Sequence, residues 1–361
     1  MKQIDQYIFW KYIRSFLFVA LLLTMIATVF DFSEKIDDFL KQAIPLQEIL
    51  FDHYLNFIPY INGQIWMLYA ILSVIFFTSR MAYNAEIIAI LGAGVSFNRI
   101  LRPYLMAGFL LSGVYFVGNH YIIPLANKGR LKFEHTYISE ESETERMNNV
   151  HMFIEPGTKI FARHYSKVDT AIREFMLERF VDDKLVYLLK ASKVEWLGPP
   201  NHWRLRNYEI RTFDGVNESL KIGQNQYIDT TLNFNHQDFV FYKNSKQGMT
   251  TFELQRFIER EREKGIGNTQ VFEIEIHRRT AEPFTVIILT IIGMALASRK
   301  VRGGIGLHIL LGIVLGAVYI LLSKFTVTFA TSDALSPLLG AWIPNILFTG
   351  IAIWLVRTAQ K

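Results

Sequence analysis

Residues 12–32 read YIRSFLFVALLLTMIATVFDF, and their reading decides the class of fold. Between Arg14 and Asp31 no side chain carries a formal charge. Bilayer hydrocarbon is about 30 Å thick, and a helix of roughly 20 mostly apolar residues crosses it. The stretch from Tyr12 to Phe32 therefore predicts a spanning helix. It is longer than the apolar core of a signal peptide, and no small-x-small cleavage site follows it, so it is expected to remain as an uncleaved helix.

Five further stretches of the same kind follow, at about Leu55–Thr78, Pro103–Ile123, Pro283–Ala297, Leu307–Phe329 and Leu338–Val356. Three spans precede a long polar stretch and three come after it. The composition agrees with such an average. Of 361 residues 51% are hydrophobic and 20% charged, and the mean hydropathy is +0.20. This balance excludes disordered, collagen-like and coiled-coil chains. With no cysteine, disulfides, thiolate metal sites and cysteine nucleophiles are excluded too. A net charge of +5 does not suggest a nucleic-acid partner.

Lysine and arginine in short loops set orientation. Lys2, Lys11 and Arg14 lie at the start, Arg80, Arg99 and Arg102 after the second span, Arg299, Lys300 and Arg302 after the fourth, and Arg357 and Lys361 in the tail. With six spans these all fall on one side. The opposite short loops hold Asp31, Glu34, Asp37, Asp38 and Asp52, or Asp333. Both termini are thus expected in the cytoplasm of an inner-membrane protein, with the large insert outside.

In the insert, Lys159–Arg163, Glu174–Val181 and Trp203–Arg211 alternate apolar and polar residues, the period of half-buried antiparallel strands. Asp182-Asp183, Gly198-Pro199-Pro200-Asn201 and Asp214-Gly215 are turn chemistry between them. A sandwich, roll or barrel is expected. Thr250 and Glu253 then fit a capping box for a short helix with Leu254, Phe257 and Ile258 on one stripe, ended by Gly265-Ile266-Gly267. Phe272–Ile276 leads into the fourth span. The expected domains are a membrane half over 1–123, with a short cytoplasmic helix at about 82–94, a β domain over 124–249, a connecting helix and linker over 250–275, and a second membrane half over 276–361.

No Walker A pattern is present. Gly303-Gly304-Ile305-Gly306 lacks the Lys-Ser/Thr that would follow, and reads as a tight turn. Few carboxylates lie at mid-membrane (Glu282 is at the outer edge of the fourth span, and Lys324 lies within the fifth), which speaks against an ion-coupled carrier. An ATPase on a separate chain is the better expectation. The loop after the second span offers it a handle. Asn84 is placed to cap a short helix, Glu86 stands in its first turn, Ile87, Ile88, Ile90 and Leu91 make it apolar, and Gly92 or Gly94 ends it. Such a helix either plugs a groove on a soluble partner or rests on lipid.

Lys35, Lys41, Arg278 and Arg279 fall on the outer side, against the charge trend. They either meet an anionic lipid head group or snorkel and pair with neighbouring acids such as Glu275 and Glu282. Asn56, Asn62 and Gln64 in the second span could bond neighbouring helices or line a cavity. Gly108, Gly113, Gly312 and Gly316 permit close helix approach, and Gly312-x-x-x-Gly316 has the spacing of a dimerisation face. No metal-ligating set and no catalytic constellation stands out; His120, His151, His164 and His202 are scattered.

Together these features resemble the lipopolysaccharide-export permeases of the LptF/LptG (YjgP/YjgQ) family. The likeness lies in the Asp5-Gln6-Tyr7-Ile8 start, the loop Asn84–Ser96, the stretch Glu275–Pro283 and Trp342-Ile343-Pro344-Asn345, in their order along nearly the whole chain. Gln6 departs from the family's more usual Asp-Arg-Tyr start, and the Lys35–Lys41 stretch leans toward LptG. The resemblance implies a non-catalytic subunit that pairs with a paralogous permease around a lipopolysaccharide cavity. It implies a cytoplasmic ABC ATPase dimer, where ATP and magnesium reside, so that this chain holds no cofactor. It implies a periplasmic β-jellyroll adjoining bridge proteins of similar fold, through which lipid moves toward the outer membrane. Glu86, with Asn84, Ile87, Ile90 and Leu91, becomes the expected ATPase contact, and Lys35, Lys41, Arg278 and Arg279 the expected lipid contacts. The rival expectations are a membrane sensor or envelope-assembly factor that binds a ligand through its β domain, and a lipid-modifying membrane enzyme.

Overall fold

The computed structural model describes residues 3–138, 148–166, 169–182, 184–215, 217–239, 245–263, 269–299, 304–332 and 334–359. Lys2, Asp183, Gly265-Ile266-Gly267, Lys300, Arg302, Gly303, Asp333 and Lys361 lie outside the described residues. The helices are α1 (Gln3–Lys41), α2 (Leu46–Tyr83), α3 (Glu86–Gly92), α4 (Phe97–Tyr137), α5 (Thr251–Glu263), α6 (Gln270–Ala297), α7 (Gly304–Thr331) and α8 (Pro337–Ala359). All but α3 and α5 are long and apolar enough to span a bilayer, which makes the six expected spans. Each helix outruns its hydropathy segment. Hydropathy marks only the part that meets hydrocarbon, while backbone hydrogen bonding continues through polar flanks. Thus Phe272–Ile276 forms the first turns of α6, and the third span runs on to Tyr137.

The chain divides into two compact units. The first joins residues 1–139, 247–251 and 270–361, and the second holds most of the insert. Within the first, α6 packs against α2, α4 and α8; α1 packs on α2 and α4, and α7 on α2 and α8. The apolar window of α2 is 67% buried, but that of α1 only 11% and that of α7 22%. Leu21, Phe30, Leu310 and Phe325 are exposed on those two helices. A contiguous apolar face of this extent suits lipid or another apolar helix rather than water.

Buried hydroxyls need partners where water is absent. Tyr12 pairs with Thr290 at 2.7 Å, Tyr104 with Thr78 at 3.1 Å, and Tyr69 with Thr24 at 3.1 Å. Asn345 joins the last three helices. Its Oδ1 accepts from Thr285 at 2.7 Å and Tyr319 at 3.0 Å, and its Nδ2 donates to the Ala281 carbonyl at 2.7 Å. Gly312 and Gly316 turn out to serve contact inside the chain. A Cβ on Gly312 would stand 2.6 Å from Ile75 Cδ1, and one on Gly316 3.2 Å from Leu68 Cδ1, so the pair seats α7 on α2.

The second unit carries β1 (Asn148–Glu155), β2 (Thr158–Ser166), β3 (Ala171–Val181), β4 (Lys184–Gly198), β5 (His202–Asp214) and β6 (Asn217–Thr231) in one antiparallel sheet ordered β1 to β6. Rows of paired residues build its apolar face: Ile160 opposite Leu177 opposite Leu189, and Ala162 opposite Phe175 opposite Ala191 opposite Tyr208. Phe234 packs on that core, and its carbonyl accepts from Trp203 Nε1 at 3.2 Å. Gly223 is required beside Tyr208, whose ring would lie 2.4 Å from an added Cβ. The three expected strand segments fall within β2, β3 and β5. Neighbours in the sheet are neighbours in sequence, so the described strands form a meander, without the crossing connections that define a jellyroll. In α5, Leu254 and Ile258 are buried and Phe257 is half-buried, which is the expected stripe.

Candidate functional site: two polar clusters in the membrane unit

The first cluster lies at the end of the bundle that bears the N-terminus. Asn84 does not cap α3. The Asn84 amide donates to the Arg80 carbonyl at 3.0 Å and closes α2, which leaves Ala85, in a left-handed conformation with φ 61°, as the residue before α3. Gly94, with φ 83°, ends the turn after α3, its amide donating to the Leu91 carbonyl at 2.9 Å. Ile87 is 1% exposed and Ile90 half-buried, and both pack into the bundle core. Ile88 and Leu91 are exposed at 50% and 38%. The helical period thus splits the expected contact residues into an anchoring face and a free face. Ile87 holds the helix down and is not available to a partner.

Glu86 is engaged within the chain. Tyr7 Oη donates to its Oε2 at 3.0 Å, Lys11 Nζ lies 3.1 Å from Oε2 and 3.4 Å from Oε1, and Asn84 Nδ2 lies 3.5 Å from Oε1. Partial burial pushes this carboxyl upward, but the Lys11 and Tyr7 hydrogen bonds and the Lys11 charge outweigh it and hold it below the ordinary carboxylate range. Close by in sequence on α1, Asp5 takes a two-pronged pair from Arg99 of α4, both contacts at 2.7 Å.

The second cluster is about 30 Å further along α4, judged from the rise between Arg99 and Asn119. Here α4 passes through a π-helical segment, Gly118–Ile122, in which Asn119 and His120 are buried. Asn119 Nδ2 donates to Glu282 Oε2 at 2.9 Å, as does Tyr115 Oη at 2.9 Å. Glu275 accepts from Arg279 at 2.9 Å and from Arg278 at 3.1 Å. Arg278 also lies 3.7 Å from Glu282. A cleft of about 380 Å³, including its mouth, is lined by Tyr60, Gln64, Asn127, Arg278 and Glu282 among others. Two arginines are thus matched by two carboxylates, the pairing with Glu275 and Glu282 that the sequence left open beside contact with a lipid head group.

Lys35 is likewise paired, with Asp31 at 2.9 Å and Glu134 at 2.6 Å, and Arg130 reaches the same Glu134 at 2.6 Å. Lys41 is exposed in the last turn of α1. Among the described residues no group of three metal-ligating side chains occurs.

Comparison with known families now bears on both clusters. The model of the lipopolysaccharide export system permease LptF/LptG matches residues 6–358, nearly the whole chain. The chain belongs to the LptF/LptG family. A search of curated proteins returns no match. This LptF/LptG chain is accordingly a multi-pass membrane protein of lipopolysaccharide transport. Its family motifs coincide with the polar geometry. Asn84–Ser96 carries α3, Glu275–Pro283 carries the arginine–carboxylate cluster, and Trp342–Asn345 supplies the amide that ties α6, α7 and α8.

Several residues of this permease were not singled out as site residues from sequence. Lys11 counted only as a loop charge, and Tyr7 only as part of the start motif. His53, buried and 2.8 Å from Asp31, gave no signal because its partner lies 22 residues earlier; Arg130–Glu134 has the one-turn spacing of a helical pair, but its link to Lys35 of α1 joins residues 99 apart. Tyr115 and Asn119 could have been suspected as polar residues within an apolar span.

Proposed function

We propose that this chain is one permease subunit of an ABC exporter that extracts lipopolysaccharide from the inner membrane and passes it to a periplasmic bridge toward the outer membrane. A cytoplasmic ATPase dimer drives it, and a paralogous permease completes the lipid cavity. Both termini are cytoplasmic and the β domain periplasmic. The observation that carries this reading is α3, a short helix anchored by Ile87 and Ile90 that leaves Ile88 and Leu91 bare, within the stretch Asn84–Ser96 that resembles the family's coupling-helix segment. A bare apolar pair on a seated helix suits a groove on a soluble partner. ATP-driven closure of the ATPase would press on α3 and narrow the cavity between the two permeases, expelling the amphiphile.

The ion pairs refine the lipid contacts. Lys35 and Arg279 are committed to Asp31, Glu134 and Glu275, and act on structure. Lys41 and the partly accessible Arg278 are the better head-group contacts.

Leu91→Asp and Glu86→Lys test the coupling assignment. Both variants should fold and reach the membrane yet lose the copurifying ATPase and lipid export. Full retention of the ATPase by Leu91→Asp would refute α3 as the docking helix. Orientation is tested on this cysteine-free chain with single cysteines at Ala85 and Asn217. Impermeant thiol reagent added outside the inner membrane should label only the second.

A further inference from the structure

We infer that Lys11 and Tyr7 are positioning residues that fasten the coupling helix α3 to α1, so that a push on α3 is delivered to α1. The inference rests on the exporter reading above and adds its internal linkage.

Helix α3 has two attachments of different kind. Its apolar face, Ile87 and Ile90, sits in the bundle core, and the helix packs chiefly on α2. Its polar start is tied to α1 through Tyr7 at 3.0 Å and Lys11 at 3.1 Å on one Glu86 oxygen. Lys11 Nζ also lies 2.5 Å from Tyr7 Oη, so the three groups close a triangle. One and a half turns earlier on α1, Asp5 grips Arg99 in the first turn of α4. The segment between α2 and α4 is therefore clamped to α1 at both of its ends.

Partly exposed ion pairs of this kind contribute little to stability, typically below about 1 kcal/mol. Their value here is geometric. Donors from Tyr7, Lys11 and Asn84 converge on one carboxylate and leave it few orientations. At the other end of the linkage, α1 is the least buried of the spans; it packs mainly on α2 and α4, and the Tyr12–Thr290 hydrogen bond reaches α6. A lightly packed helix with a rigid handle is suited to move when the handle moves. The apolar seat explains why α3 should survive loss of the handle. Ile87 and Ile90 keep it docked on the bundle while its connection to α1 is cut.

The test uses the complete exporter, with ATPase and paralogue, reconstituted in proteoliposomes containing lipopolysaccharide. ATP hydrolysis and lipid released are measured together. Lys11→Met should copurify with as much ATPase as the natural chain, and hydrolyse ATP, but move about fivefold less lipid per ATP, the low end of ordinary coupling energies. Tyr7→Phe should show a smaller loss, and Lys11→Arg should restore the ratio. A purely structural role would lower yield without changing lipid per ATP. An unchanged ratio in Lys11→Met overturns the linkage. So does loss of the ATPase from Lys11→Met, because Lys11 would then shape the docking surface. If the natural chain itself retains no ATPase, the exporter reading fails and the linkage falls with it, an outcome distinct from both.

Discussion

Arg279 Nε donates to Glu275 Oε1 at 2.9 Å while its Nη1 donates to the Met249 carbonyl at 2.7 Å, and the side chain is 2% exposed. One guanidinium thus joins a carboxylate one turn away on α6 to the backbone that precedes α5. Removing one partner of such a buried pair leaves an uncompensated charge, at a cost of about 3–5 kcal/mol. Arg279→Met should therefore lower the thermal midpoint in detergent markedly, and Arg279→Lys should not restore it, since an ammonium lacks the fork that reaches both acceptors. A midpoint within a degree or two of the natural chain would show that Arg279 is not a structural tie.

Asn345 is expected to be the most sensitive position of α8. In Asn345→Leu the hydroxyls of Thr285 and Tyr319 retain only each other, at 2.6 Å, and the Ala281 carbonyl loses its side-chain donor. Unmet buried polar groups cost about 1–3 kcal/mol each. Unfolding in mixed micelles should show a loss of that size, with α6–α8 opening before α1–α4 in hydrogen exchange. Uniform exchange across both halves would contradict it.

The Gly312–Ile75 contact gives a paired test of whether the small-residue stripe on α7 packs within one chain. Gly312→Leu should cost about 1–3 kcal/mol by overpacking, and Ile75→Ala in the same chain should recover part of it. If Gly312→Leu is neutral for the isolated chain but splits an oligomer, the stripe faces another subunit instead.

Glu86 has a folded pKa below its ordinary value, so its pairing contributes stability above the ordinary carboxylate pKa and loses it as pH falls through the folded value. From pH 6 to 8 the difference in thermal midpoint between the natural chain and Glu86→Gln should be constant. It should shrink only on acidification below about pH 4, where a carboxylate of ordinary pKa near 4.3 is already protonating. A difference that changes near pH 6 would mean that another group titrates at this site.

How much of this was legible in the sequence depends on range. Spans were visible because each is a local run of apolar residues, and β2, β3 and β5 because alternation is local too. β6 was not, since it is exposed over most of its length and Leu220, Ile222 and Tyr227 do not alternate against a buried face. Glu86 was singled out by its place on a short helix, but its partner Lys11 lies 75 residues earlier and carried no mark beyond charge. For Arg278 and Arg279 the sequence left two readings open, head-group contacts or partners of Glu275 and Glu282. Only the helical geometry, with acids one turn before and after, brings them into contact. The burial of Ile87 and exposure of Ile88 likewise depend on which face of α3 the bundle occupies.

The central claim, that this LptF/LptG chain works as the permease of an ATP-driven lipopolysaccharide exporter, is tested most directly by gentle detergent extraction of the tagged chain from its native membrane, followed by mass spectrometry of proteins and lipids. The account predicts recovery of a soluble ABC ATPase, a second six-span permease and a lipid A-containing glycolipid. Recovery of the chain with its lipid but without any ATPase would contradict it, and would point instead to a sensor or assembly factor.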